Sequence, residues 1–167
     1  MRGSTRPRRA GARLLPGPQS EKPSRLGRMS RPHFHGRAVE MDVNGLRLIN
    51  VYAPNGNPVD SEKYPYKLKW LDHLYSRLQS LRMEEAPFLI CGDFNIIPEA
   101  RDCYDPDVWK DDALFKIESR EKLRKFLNMG LTDAFRVFNQ QSEQYTFWDY
   151  QGGSFPANKG IRIDHFL

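Results

Sequence analysis

The chain has 167 residues, enough for one domain with its own core, and its two cysteines, Cys91 and Cys103, are too few for a disulfide framework and fit a reducing compartment. No apolar run approaches the roughly 20 residues of a bilayer-crossing helix and no apolar h-region marks a secretory signal, so a soluble protein is expected. The net charge of +5 invites a nucleic-acid reading that its distribution does not support, because residues 1–38 hold ten Lys or Arg against Glu21 (net +9) while residues 39–167 hold 16 against 20 acids (net −4).

Residues 1–32 mix Arg, Pro, Gly and Ser with no helical or strand period. Such a stretch buries too little apolar surface to offset its ordering entropy, and a disordered basic Pro/Arg-rich arm is expected over residues 1–35. Its prolines spoil the amphipathic helix of a transit peptide; an imperfect start to the gene is the other reading. From Arg37, R-A-V-E-M-D-V, the pair Asn44-Gly45 and L-R-L-I-N-V-Y-A predict two strands joined by a type I′ hairpin. Leu68, Leu71, Leu74, Leu78 and Leu81 recur at spacings of three and four and predict one apolar stripe on a helix from about Ser61 to Met83. Phe88 to Cys91 reads as a short buried strand. Ser119 is expected to cap a helix through Asn128, which Gly130 ends. Residues 145–150 and 161–167 read as two more strands, with Gly152-Gly153 in the loop between them.

The chemistry concentrates in G-D-F-N, residues 92–95. Gly92 lets the backbone turn at the strand end. If extended geometry persists, Asp93 and Asn95 share a face while Phe94 points into the core. A carboxylate and an amide projecting together can organise a hydrated Mg²⁺, a nucleophilic water and a phosphate oxygen. The plainer reading is an Asx turn, in which both side chains bond local amides. Three other stretches bear on the choice. Val51-Tyr52-Ala53-Pro54-Asn55-Gly56 ends a strand with two polar groups able to meet a phosphate. Y-T-F-W-D-Y puts four aromatics into six residues; such a run is usually core, yet Phe147 and Trp148 could also stack on a sugar or base. Lys159 to Asp164 places an acid in an apolar strand, where it needs a partner. The adjacent His165 points to the opposite face of a strand, so that partner must lie elsewhere.

Taken in order, I-N-V-Y-A-P-N-G, G-D-F-N-I-I-P, L-T-D-A-F, T-F-W-D-Y and G-I-R-I-D resemble the exodeoxyribonuclease III family of AP endonucleases, within the endonuclease/exonuclease/phosphatase superfamily. The resemblance implies an α+β fold, a partial four-layer αββα sandwich over residues 36–167. It also implies hydrolysis of DNA phosphodiesters with Mg²⁺ or Mn²⁺, beside abasic sites and at 3′ ends of double-stranded DNA, by a cytoplasmic monomer. By position, Asp93 matches the acid that aligns or deprotonates the attacking water, and Asn95 the amide that holds that water; both are expected near the metal. Tyr52 matches the tyrosine near the leaving group and Asn55 a phosphate-contacting amide. Asp164 matches the acid that orients a histidine. Phe147, Ile161 and Ile163 fall where the family lines a pocket for the flipped-out abasic sugar.

The chain also departs from the family pattern. The opening strand with its asparagine, the metal-ligating glutamate and the closing Ser-Asp-His stretch have no match, and neither Glu21 nor Glu40 fits the glutamate's role. A domain truncated at both ends is therefore expected to be weakly active or inactive and poorly soluble, with unpaired strand edges and apolar faces. The competing readings are another phosphodiesterase of the superfamily, acting on inositol phosphates or sphingomyelin, and a non-catalytic remnant.

Overall fold

Asn44 and Gly45 take φ of 51° and 85° and close the expected hairpin between β1 (Ala38–Val43) and β2 (Leu46–Tyr52). The computed structural model describes residues 37–85 and 87–167, so the arm expected over 1–35 lies outside the described residues. From β2 the chain crosses through α1 (Lys63–Met83) to β3 (Phe88–Asp93), which pairs parallel to β2. A 3₁₀ turn (Ala100–Asp102) and three helices follow: α2 (Pro106–Trp109), α3 (Ile117–Asn128) and α4 (Ala134–Phe138). The chain returns through β4 (Phe147–Trp148) and β5 (Gly160–Ile161), which form a two-stranded sheet, to β6 (Asp164–Phe166). That last strand lies antiparallel to β3 and completes a four-stranded sheet of order β1-β2-β3-β6. The class is α+β, with two sheets and flanking helices, as expected.

The leucine stripe explains why α1 sits where it does. Leu71, Leu74, Leu78 and Leu81 are fully buried beside Trp70, against Ile49 and Val51 of β2 and Ile90 of β3, with Leu123 and Phe126 of α3 flanking them. Each such leucine contributes about 1.5–3 kcal/mol by leaving water. Leu68, one turn earlier, packs instead against a second cluster built on Tyr64, Ile97, Leu114, Ile161 and Ile163. Gly130, at φ 105°, ends α3 as expected: its N–H bonds Leu127 O and the Leu131 N–H bonds Phe126 O, the paired bonds of a Schellman stop.

Three local expectations are corrected. Ser119 is not a cap; it lies inside α3, buried, with its hydroxyl donating to Ala113 O (2.7 Å) and lying 3.3 Å from Tyr64 Oη. The helix starts two residues earlier, because Lys116 and Ile117 already follow the tight turn at Asp112. Residues 161–167 are not one strand. At Arg162-Ile163 the ladder breaks: the Arg162 N–H bonds Asp102 O, the Ile163 N–H bonds Thr146 Oγ1, and Ile163 O accepts from Phe94 N. Backbone groups satisfied by three separate segments cannot continue one ladder, so the chain steps from the small sheet to the large one. Within 145–150 only Phe147–Trp148 is strand.

Strand alternation gives the large sheet two unlike faces. One, holding Ala38, Ile49, Val51, Ile90 and Leu167, is packed under α1 and α3. The other holds Val39, Met41, Val43, Leu46 and Phe166, each 36–54% exposed.

Candidate active site

The site forms where β2, β3 and β6 end together. Tyr52 is in register with Asp93, and Asp93 with Asp164. Residues opposite one another across a ladder project to the same side, so a phenol and two carboxylates stand in one row on the open face. Gly92 makes this possible. Its φ is 121°, and a Cβ there would meet Val51 O at 2.2 Å, so only glycine lets β2 and β3 close up behind Asp93.

Extended geometry stops at Asp93, because Asn95 takes φ 50°. The Asx turn and the shared site are therefore the same structure. Asp93 Oδ1 accepts from the Asn95 N–H at 2.7 Å, and Oδ2 accepts from Asn95 Nδ2 at 3.2 Å. Asn95 Nδ2 also donates to Ala53 O (2.9 Å), while its Oδ1 accepts from Asn55 Nδ2 (3.2 Å). Asn95 is only 4% exposed, and its amide is spent on aiming Asp93 and on joining the β2 loop to the β3 loop. Phe94 is buried, as expected. Beneath the turn, the Lys67 ammonium donates to Asn95 O (2.5 Å), Asn55 O (3.1 Å) and Ala113 O (3.0 Å).

Burial pushes the Asp93 carboxyl up to about 6, and the charge of Asp164 pushes the same way; the Asn95 N–H and the Lys67 charge oppose them. Burial also lowers Lys67 to about 7, against the pull of Asp112 and Asp93. An acid poised near neutral pH at a strand end is what a general base requires.

Asp164 is half-buried, and its N–H, like that of Ile163, bonds Thr146 Oγ1 at 3.1 Å. His165 faces the other way, fully buried. Its Nε2–H donates to Ile96 O (2.9 Å) and its Nδ1 accepts from Arg162 (3.2 Å). Burial and the neighbouring guanidinium lower it to about 4, so it stays neutral and plays no part in the row. Tyr52 is exposed, with the Arg37 guanidinium 5.2 Å from its ring centre. Glu40 does not approach the site, because Arg77 of α1 holds it in a bidentate pair (2.8 and 2.9 Å).

The residues expected to contact DNA are divided. Phe147 is exposed and lines a hollow of about 400 Å³ with Trp148, Tyr150 and Phe155. Ile161 and Ile163 are 2% and 5% exposed and packed in the second core cluster, although Ile161 is in register with Phe147.

Two groups of residues escaped the sequence reading. Lys67 is one; its signal was a charged residue on the core stripe, three positions after Tyr64 and four before Leu71. The other is a buried ion network. Asp102 Oδ1 accepts from Arg162 (2.6 Å) and Arg136 (2.5 Å), and Arg162 also reaches Asp133 (2.9 Å). It welds the 3₁₀ turn, α4 and the β5–β6 step together, and so holds Asp164 beside Asp93. Nothing local in the sequence pairs these charges.

For a divalent cation the donor set is small but suitable. Among the described residues no cluster of three or more His, Cys, Asp or Glu side chains could hold a metal. Asp93 and Asp164 are like charges that a cation would relieve, and Mg²⁺ is commonly bound by one or two carboxylates with water and phosphate filling its remaining positions.

The site is thus an Asp-Asn turn and a second aspartate brought together at the strand ends of an α+β fold. The sequence profile of the Endonuclease/Exonuclease/phosphatase family matches residues 9–167, and the chain belongs to that family. It is 33% identical over 134 residues to a DNA-(apurinic or apyrimidinic site) endonuclease of Dictyostelium discoideum, covering 79% of this chain and 37% of the relative. It is 30% identical over 133 residues to an exodeoxyribonuclease of Bacillus subtilis, covering 79% and 52%. The solved AP endonuclease of Archaeoglobus fulgidus superposes with a TM-score of 0.74 at 36% identity, covering 78% of this chain and 51% of that one. The chain thus spans about half the length, or less, of the relatives it matches.

Proposed function

We propose that this chain carries part of the active site of a DNA repair nuclease, a metal-dependent hydrolase of DNA phosphodiesters acting at abasic sites and 3′ ends. The observation that carries the reading is the row Tyr52–Asp93–Asp164, with the Asp93 carboxyl raised to about 6. The relatives' names, an AP endonuclease and an exodeoxyribonuclease, support DNA as the substrate.

In this reading Asp93 accepts the proton of the attacking water, and its aim is set by Asn95. Tyr52 stands at the solvent edge, where its phenol meets the phosphate or the leaving oxygen. Asn55, already bonded to Asn95, adds an amide on the phosphate side. Asp164 contributes the second carboxylate, and Phe147 offers a ring to the sugar of an extruded nucleotide. Asp93 and Asp164 would hold the cation, and Mg²⁺ or Mn²⁺ bound there would supply charge neutralisation at the phosphate. Acting alone, the chain is expected to turn over slowly, since two carboxylates hold a cation weakly. We infer a cytoplasmic monomer from the family resemblance; among the described residues no helix is long and apolar enough to cross a membrane.

Mn²⁺ titration of the isotope-labelled chain tests the site directly. Paramagnetic broadening is expected first at Tyr52, Asp93 and Asp164, and Asp93→Asn is expected to abolish it. Broadening centred elsewhere would overturn the assignment. Cleavage of an abasic duplex, compared with a phosphoinositide, then decides the substrate.

A further inference from the structure

We infer that Lys67 is a positioning residue of this site: its ammonium ties three loops together by their carbonyls and so holds the turn that aims Asp93. The inference deepens the nuclease reading, and its geometry is independent of which bond is cut.

Lys67 is 0% exposed. An ammonium has three N–H donors, and here each meets a main-chain carbonyl: Asn55 O at 3.1 Å, Asn95 O at 2.5 Å and Ala113 O at 3.0 Å. Those carbonyls belong to the loop after β2, the loop after β3 and the loop between α2 and α3. Among the described residues no carboxylate lies within ion-pair distance of Nζ; Asp93 and Asp112 act on it only through space. A lysine buried for charge balance would touch an acid. This one touches only backbone.

The surroundings are shaped to its stem. Gly56 takes φ 93°, and a Cβ there would meet Lys67 Cδ at 2.8 Å, so the β2 loop wraps the lysine at the one residue without a side chain. Next to it, Asn57 Nδ2 bonds both Asp112 oxygens (3.0 and 3.1 Å) and its Oδ1 accepts from the Ala113 N–H (3.1 Å). Ala113 is therefore held at its N–H by Asn57 and at its carbonyl by Lys67 and Ser119. From this anchored peptide the ammonium reaches Asn95, whose N–H and side chain grip Asp93. Asn95 takes the left-handed φ of 50° that asparagine tolerates better than most residues, and its carbonyl, amide and N–H are all engaged there. Burying a charge is costly, and an apolar side chain of the same length would spare that cost while taking a donor from three carbonyls, of which Ala113 O alone keeps another, Ser119. The ammonium's specific product is geometry at Asn95 and Asp93.

The test uses the full chain with Lys67→Met and Lys67→Arg, read by amide hydrogen exchange and side-chain amide resonances. In Lys67→Met the Asn95 N–H is expected to exchange about tenfold faster, while Ile90, in the core beside α1, changes less than about twofold relative to global stability. The Asn55 and Asn95 side-chain NH₂ resonances should shift together. Lys67→Arg, which restores a donor, should recover most of the Asn95 protection. Unchanged protection at Asn95 in Lys67→Met would overturn the inference, as would equal loosening of Asn95 and Ile90. Should Lys67→Met fail to fold, the unmutated chain decides. A slowly exchanging Lys67 NH₃⁺ cross-peak coupled to the Asn95 carbonyl supports the tie, and an ammonium exchanging as fast as an exposed lysine's refutes it. Mn²⁺ that ignored Asp93 would sink the nuclease reading and leave this result standing; Mn²⁺ at Asp93 with Asn95 indifferent to Lys67 would do the reverse.

Discussion

The two faces of the four-stranded sheet are built by one set of strands yet do opposite work. Under α1 and α3, the side chains of Ala38, Ile49, Val51, Ile90 and Leu167 are sealed from water. One residue along each strand, Val39, Met41, Val43, Leu46 and Phe166 stand in solvent, and the row Tyr52–Asp93–Asp164 ends that same face. Under the proposed function, stability and chemistry are thereby separated by the two-residue period of a strand: what holds the domain together points one way and the row assigned to the reaction points the other. Hydration differs accordingly. His165, on the packed face, is held neutral by burial, whereas Asp93 on the open face keeps an acid whose proton can leave near neutral pH.

If the packed face carries the stability, damage there should far exceed damage opposite. Leu74→Ala, in the middle of the α1 stripe, is expected to cost about 2–5 kcal/mol by chemical denaturation. A loss below about 1 kcal/mol would show that α1 contributes little to the sheet. Gly92→Ala, next to Asp93 on β3, is disfavoured twice, by its positive φ and by the contact with Val51 O; a cost of about 2 kcal/mol or more is expected, together with loss of the Mn²⁺ response at Asp93.

The pH dependence sharpens the comparison. His165 is lowered from 6.5 to about 4 in the folded chain, so between those values the unfolded chain binds more protons. Its contribution is whole above about pH 6.5 and is lost as pH falls toward 4, on the order of 3 kcal/mol at most. Asp93 has the opposite sign. Its folded value is raised, so its contribution is present below the ordinary carboxylate range and is lost as pH rises through about 6. Thermal melts of His165→Asn and Asp93→Asn against pH separate the two: the first should flatten the acid limb, and the second should flatten the decline toward neutrality. Asp93→Asn should therefore be neutral or slightly stabilising at pH 7 while removing cation binding, a separation of function from stability that a destabilised variant would contradict.

The smallest effect belongs to the open apolar face. Met41→Lys is expected to change stability by no more than about 0.5 kcal/mol and to reduce self-association measured by sedimentation. A loss comparable to Leu74→Ala would mean that Met41 is packed in solution and that the faces are not distinct.

Much of the fold was legible because its causes are local. Asn44-Gly45 supplies two positive φ values wherever it stands in a hairpin. The leucines of α1 mark a helical stripe by spacing alone, and at Gly130 α3 ends through two local bonds, Gly130 N–H to Leu127 O and Leu131 N–H to Phe126 O. Other expectations failed through distant partners. Ser119 has the chemistry of a cap but is taken by Ala113 and Tyr64, and the strand after Gly160 is broken because Asp102, Phe94 and Thr146 claim the backbone of Arg162 and Ile163. At the site, the Asx turn at Asp93 is readable from four residues. Its double use, bonding local amides while presenting a carboxylate, is visible only once Ala53, Asn55 and Lys67 are in place.

By itself the sequence determined the chain's elements and the kinds of chemistry available to it: an acid-amide turn after a buried strand, a tyrosine at another strand's end, an aspartate in a late apolar stretch. Strand alternation already set His165 on the face opposite Asp164; only the tertiary structure decided that Asp164 lies beside Asp93 and that a lysine on a core stripe supports the turn at Asp93. The physical reason is range. Backbone sterics and side-chain period act over a few residues, whereas the pairing of β6 with β3, and the carbonyls gathered by Lys67, join segments tens of residues apart that meet only when the sheet and its helices have packed.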